Sequence, residues 1–233
     1  MDSTTCLSQA IRDGNDEILA VTCFYGSKHA AAEVGASRQI VEWYNSRGIA
    51  KVDQRIIELP NIFRGSGSAL MNEVNMPQMS YADIHESFGP SPTVVPFRNA
   101  NLISVATTLA IGFKATSVYI AAHADDAHNW AYPDCTPEFL GAMAAAVYIG
   151  SYHAVTLRFP FVWMTKANIV ACAEMAPYAP LGLTWSCYED GLQQCGTCPT
   201  CIERIHAFRV NGWKDRRTYE APVDWMNLPE FPY

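Results

Sequence analysis

Apolar positions recur along this chain with two alternating periods. Over residues 3–12, Cys6, Leu7, Ala10 and Ile11 fall on one face at helical spacing. Residues 18–24 (ILAVTCF) form a short, almost wholly apolar run, which predicts a buried parallel strand. Residues 27–47 read as a long helix closed by Gly48, and residues 52–59 as a second strand ending at Pro60. The pattern then breaks over residues 60–98, which hold Pro60, Pro77, Pro90, Pro92 and Pro96 with Gly65, Gly67 and Gly89. A connection of that length is a functional lid or a disordered stretch. Helical spacing resumes from Asn99 through Ile103, Ala106, Ala110 and Phe113. A strand over 117–122, a helix over 137–150, a strand over 154–159 and a helix over 165–175 follow, the last with Thr165 as N-cap. This alternation predicts an α/β fold, a parallel twisted sheet flanked by helices.

The first predicted helix starts at residue 3 with no strand ahead of it. A parallel α/β sheet feeds its first helix from a strand, and phosphates bind in the loop between them. The expectation is that the natural chain extends upstream by about 10 residues, a short strand and its loop.

The chain has 233 residues, enough for one large domain with a small appended module. Residues 1–180 are expected to form the α/β part and 181–233 a C-terminal segment packed on it. With 49% hydrophobic residues and no repeat, disorder and solenoid architectures are excluded. The net charge of −7 argues against nucleic acid as a direct substrate. A late cluster of Arg204, Arg209, Lys214, Arg216 and Arg217, diluted by Glu203 and Asp215, reads as a solvated helix face. The apolar stretches fall short of the roughly 20 residues a membrane span needs. The opening residues lack the basic and apolar regions of a signal peptide. The expected location is a reducing cytoplasm, where eight cysteines need a purpose other than disulfides.

Four of them supply one. Cys187, Cys195, Cys198 and Cys201 are spaced C-x7-C-x2-C-x2-C, and four thiolates so close can close a tetrahedral shell around one zinc. An all-sulfur shell leaves no open position, so the zinc is expected to be structural, with an iron–sulfur cluster as the competing reading. Cys6, Cys23 and Cys172 fall in apolar runs and read as core residues, whereas Cys135 lies in a polar, proline-containing loop.

Several strings carry a further signal. The opening MDSTTCL resembles the tail of the SGGxDS loop of PP-loop ATP pyrophosphatases. That extension, together with VPFRN, YPDC followed by EF, and CGTCPTC, resembles the QueC-type 7-cyano-7-deazaguanine synthases over residues 1 to about 212. The resemblance implies a PP-loop fold of the adenine nucleotide α-hydrolase kind. It also implies a reaction: 7-carboxy-7-deazaguanine, ammonia and ATP with magnesium give the nitrile through adenylated carboxylate and amide intermediates.

Carried onto this chain, the resemblance makes Asp2, Ser3 and Thr4 the end of the ATP-phosphate loop. Arg98 and Asn99 would face the nucleotide or the substrate carboxylate, and Lys166 would pair with phosphate. Tyr132, Asp134, Cys135 and Glu138 would lie near the deazaguanine, as would Tyr25 and His29 of YGSKH. Read locally, the same residues have plainer roles. Ser3 and Thr4 suit an N-cap, Asp134 suits the cap of the helix opening at Pro137, His29 suits a structural histidine, and Lys166 suits an exposed helix-start lysine. His123 and His128 with Asp125 and Asp126 follow a strand end and resemble a ligand grouping for a second metal such as magnesium. Phe24 stands where the family usually has a polar residue, which leaves the substrate open within the deazapurines. The apolar helices offer a face for a homodimer. Two alternatives stay open: another PP-loop adenylating enzyme, tRNA-thiolating or amide-forming, and a non-catalytic homologue.

Overall fold

A computed structural model describes residues 1–59, 62–71 and 89–233. In chain order the elements are α1 (Asp2–Arg12), β1 (Glu17–Phe24), α2 (Ala30–Ser46), β2 (Lys51–Glu58), α3 (Arg98–Phe113), β3 (Ser117–Tyr119), α4 (Ala124–Ala127), α5 (Pro137–Gly150), β4 (Thr156–Arg158), α6 (Lys166–Ala173) and α7 (Pro199–Val210). The strands pair in parallel, β1 with β2 from Glu17↔Lys51 to Phe24↔Glu58, and β3 with β4 from Ser117↔Thr156 to Tyr119↔Arg158. Pro60, Pro77 and about half of the predicted long connection lie outside the described residues. Among the described residues, no helix is long and apolar enough to cross a membrane.

The departures from the sequence pattern have local causes. The second helix begins at Ala30 rather than at residue 27, because Ser27 bridges to Met71 and the Lys28 N–H donates to Leu70 O. Those bonds hold residues 27–29 in a turn. Gly48, at φ +62°, ends the helix as the pattern predicts. The strands predicted at 117–122 and 154–159 shrink to three residues each, although Ile120 N–H still donates to Arg158 O beyond them. β1 is half-buried rather than wholly buried. Of the three cysteines read as core, Cys6 is buried while Cys23 and Cys172 are half-buried.

Thr165 does cap α6. Its Oγ1 accepts from Asn168 N–H at 3.2 Å, and Asn168 Oδ1 accepts from Thr165 N–H at 3.0 Å, a reciprocal capping box. Thr165→Ala should cost about 1 kcal/mol. For a chain of this size that is a drop of roughly 2–4 °C in the thermal midpoint, checked by a calorimetric melt.

One core lies under α3, α5 and the β3–β4 pair, built on Ile103, Val118, Leu140, Val147, Val155 and Leu157. A second joins α6 to the C-terminal residues through Val170, Ala173, Leu181, Phe208 and Phe231. Here the late basic cluster departs from the solvated face expected of it. Arg204 is wholly buried and donates to both oxygens of Asp215, at 2.6 and 3.1 Å, as well as to Thr184 Oγ1, Ser186 Oγ and Leu181 O. The helical period explains it, since Arg204 shares the inward face of α7 with Cys201, Ile205 and Phe208. A charge so placed persists because nearly every donor has a partner.

Candidate active site and cysteine centre

In parallel α/β folds, chemistry gathers at the carboxyl ends of strands. Here Tyr25 follows β1, His123 and Asp125 follow β3, and Lys166 follows β4. They fall into two neighbouring groups of side chains.

The first group surrounds Lys166, which is buried rather than exposed. Its ammonium lies 2.7 Å from Glu203 Oε2 and 3.4 Å from Asp2 Oδ2, while its backbone N–H donates to Asp125 Oδ2 at 2.7 Å. Burial alone would lower the pKa of Lys166, but Asp2 and Glu203 outweigh it and hold the pKa above 10.5. Burial likewise opposes the charge on Asp2, and Lys166 and His123 overcome it, keeping that carboxyl well below its usual range. For Glu203 burial wins, and its pKa is raised. His123 is buried with Nε2 at 3.3 Å from Asp126 Oδ2. Thr4 is buried and Ser3 exposed at the start of α1, where the first N–H groups have no partner within the helix. Of the metal-ligand grouping read from the sequence, His123 and Asp125 remain, Glu203 enters, and Asp126 and His128 fall outside. Ligand atoms of His123, Asp125 and Glu203 lie within 4.8 Å of one another, while His128 is exposed and outside that set.

The second group centres on the start of α3. Phe97, in the left-handed region at φ +56°, precedes the helix, and Arg98 opens it. Asp134 reaches across: its Oδ2 accepts from Asn99 N–H at 2.9 Å. Asp134 therefore satisfies an amide at the start of α3, not at the helix opening at Pro137. That second helix takes its cap from Thr136, whose Oγ1 accepts from Phe139 N–H at 3.3 Å. Asn99 Nδ2 donates to Asp134 O and to Cys135 Sγ, at 3.1 and 3.2 Å. Burial pushes the Cys135 thiol well above its usual pKa, so it is held neutral as an acceptor and not poised as a nucleophile.

Arg98 donates from Nε to Asn99 Oδ1 at 3.3 Å; burial opposes its charge, and Tyr25, Cys135 and Asp134 more than restore it. Tyr132 hydroxyl is hydrogen-bonded to Thr93 and to Tyr188, and the Tyr188 ring lies 5.9 Å from His29. His29 is buried, with Nε2 at 3.5 Å from Glu33. Tyr25 packs edge-on against Phe63. Glu138 stands exposed on the first turn of α5, outside this hydrogen-bonded group. The geometry thus presents a fixed guanidinium, a carboxylate and a set of aromatic rings side by side.

The four cysteines come together. Cys187 Sγ lies 3.9 Å from Cys198 Sγ, and Cys195 Sγ lies 3.9 Å from Cys201 Sγ. A tetrahedron with bonds of about 2.3 Å has edges of about 3.8 Å, the size of a zinc–thiolate shell. A four-iron cluster holds its thiolates on the corners of a larger cube. Backbone N–H groups of Glu189 and Cys195 point at Cys187 Sγ, and those of Thr197 and Cys198 at Cys195 Sγ. Gly196, at φ +79°, allows the turn between them, and Cys198 and Cys201 sit at the start of α7, where the helix dipole favours thiolates.

Sequence reasoning missed Glu203, Tyr188 and the buried Arg204–Asp215 pair. The helical period from Cys201 marks Arg204 as inward-facing. No local pattern marks Glu203, whose partner Lys166 is 37 positions away.

Residues 1–212 match the family described as "Queuosine biosynthesis protein QueC". A 7-cyano-7-deazaguanine synthase of Caldicellulosiruptor saccharolyticus is 36% identical over 226 residues, spanning 97% of this chain and 94% of that relative. One from Archaeoglobus fulgidus is 38% identical over 228 residues, spanning 97% and 89%. One from Hahella chejuensis is 34% identical over 222 residues, spanning 95% and 90%.

Proposed function

The chain belongs to the QueC family of queuosine biosynthesis proteins, and from that membership we propose that it makes 7-cyano-7-deazaguanine from 7-carboxy-7-deazaguanine, ammonia and ATP. The observation that carries the reading is the similarity of nearly the whole chain to relatives bearing that synthase name. The same names favour it over the other adenylating chemistries.

A carboxylate is a poor acyl donor because its leaving group would be oxide. In the proposed reaction the carboxylate attacks the α-phosphorus of ATP and pyrophosphate leaves. Ammonia then attacks the acyl carbon, and AMP departs with one carboxylate oxygen, leaving the amide. The amide oxygen attacks a second ATP, and loss of the N–H protons expels AMP with the other oxygen to give the nitrile.

For this chemistry the chain offers the start of α1, with Asp2, Ser3 and Thr4, and the Lys166 ammonium as the phosphate-holding end. Arg98 would neutralise the substrate carboxylate and the charge that develops on its oxygens. Asp134, anchored by Asn99, would hold that guanidinium in place and accept from the base edge. Tyr25, His29 and Tyr132, with Cys135 beneath Asn99, would wall a flat heterocycle and keep water out. Glu138, exposed on the first turn of α5, would be a further base-edge acceptor. Magnesium bound with ATP would shield the triphosphate. The cysteine shell fits a structural zinc, which would supply folding energy and no chemistry. The small-molecule substrate, ammonia, a homodimer and a cytoplasmic setting complete the reading.

The test is to supply carboxylate labelled with oxygen-18 and analyse the products by mass spectrometry. Nitrile should appear with the label in two equivalents of AMP. Labelled AMP with amide alone would confine the activity to the first half, and an absence of both products would reject the reading.

A further inference from the structure

We propose that His123, Asp125 and Glu203 form a protein-held site for one divalent transition-metal ion, separate from the cysteine centre and from any cation carried by the nucleotide. The inference draws on the proposed function only for what the ion would do there, not for whether it binds.

One ligand atom from each of the three residues lies within 4.8 Å of the others. Around an ion with bonds of about 2.1 Å, neighbouring ligands stand about 3 Å apart and opposed ones about 4.2 Å, so the side chains need move only slightly. Acidic residues alone would not make a site. Here three buried atoms, His123 Nδ1, His123 Nε2 and Glu203 Oε1, have no hydrogen-bond partner. His123 is 1% exposed and neither ring nitrogen has a hydrogen-bond partner, although Nε2 lies 3.3 Å from Asp126 Oδ2. Glu203 is 7% exposed; its Oε2 takes the Lys166 ammonium and its Oε1 has no partner. Asp125 Oδ2 accepts from the Lys166 N–H, which orients its carboxylate. A buried imidazole with two unused nitrogens is costly unless something accepts its lone pair. Asp2 and Asp126 add negative charge around the same point, and one lysine does not balance four carboxylates.

The donor set selects the ion's class. Magnesium and calcium take oxygen ligands, whereas an imidazole beside carboxylates suits manganese, iron or zinc. Three protein ligands leave positions open for water or for phosphate oxygens. Asp2 at the start of α1 and Lys166 at the start of α6 are the charged neighbours of this group.

The experiment uses the full chain with its cysteine-bound metal, no nucleotide and no substrate. Mn2+ is titrated while free Mn2+ is followed by electron paramagnetic resonance, and the bound ion is probed for hyperfine coupling to nitrogen-14. One Mn2+ should bind per chain with imidazole coupling. His123→Ala should lose the coupling and weaken binding at least about 10-fold, and Asp125→Asn, which keeps an acceptor for Lys166 N–H, should weaken it too. His128→Ala should leave binding unchanged. The site is refuted by an absence of binding, by bound Mn2+ without nitrogen coupling, or by unaltered affinity in folded His123→Ala. Because nothing in this experiment turns over, failure of nitrile synthesis and failure of the metal site are read separately.

Discussion

Replacing Cys201 with serine should lower the thermal midpoint by on the order of 10 °C. Cys201 is wholly buried in a shell whose opposed sulfurs stand 3.9 Å apart, and losing it leaves three ligands and an open edge. Structural zinc contributes about 10–16 kcal/mol to isolated zinc-finger peptides. In this chain the surrounding segment is also held by Phe208, Phe231 and the Arg204–Asp215 pair, so only part of that sum is at stake. A loss of about 4 kcal/mol converts to that midpoint shift at roughly 2–4 °C per kcal/mol. Calorimetry of wild type, of the variant and of chelator-treated wild type, with zinc content measured for each, checks it. A metal-free chain melting at the wild-type temperature would show that the cysteines do not stabilise the fold.

Lys166→Met should have the largest effect on activity. It removes the ammonium between Asp2 and Glu203 and leaves two carboxylates facing each other in a buried setting, at a cost of about 3–5 kcal/mol. It should also lower the rate of AMP release about 1000-fold, equivalent to about 4 kcal/mol of transition-state stabilisation. The double variant Lys166→Met with Glu203→Gln separates the two effects. Most of the stability should return, because Glu203, the more deeply buried of the two carboxylates, no longer carries a charge, while the rate should not. If both return, Lys166 serves only to neutralise Glu203. The sign of the pH dependence follows from the direction of the shift. The folded-state pKa of Lys166 is raised above 10.5, so its contribution is complete at neutral pH and is lost only as pH rises through the folded value.

The parts of the fold legible in the sequence are those set by near neighbours. Gly48 and Thr165 end and begin helices because one residue's backbone freedom or hydroxyl decides the matter. The cysteine spacing places four sulfurs within one turn and one helix start, so the shell follows from a stretch of fifteen positions. Elsewhere local reasoning chose the commoner alternative and the tertiary structure overrode it. Lys166 reads as an exposed helix-start lysine until Glu203 arrives from α7. Asp134 reads as the cap of the next helix, but Thr136 takes that role and Asp134 turns to Asn99, 35 positions back. Arg204 reads as solvated because its charge hides the inward phase of its helix. In each case a buried charge is stabilised by partners beyond its own helical turn: Glu203 lies 37 positions from Lys166, Asn99 35 from Asp134, and Asp215 and Thr184 11 and 20 from Arg204.

The residues around Lys166 come from the start of α1, from the turn after β3, from the start of α6 and from α7. Asp2 and Glu203 lie at widely separated positions in the chain, so the cluster cannot assemble before α7 has been made. Closing so long a loop carries an entropic cost that only the finished core repays, and such contacts form late. A nascent chain halted before α7 would carry Asp2, Asp125 and Lys166 without Glu203, leaving the cluster incomplete. Ligand capture at this cluster is thereby reserved for chains synthesised through α7.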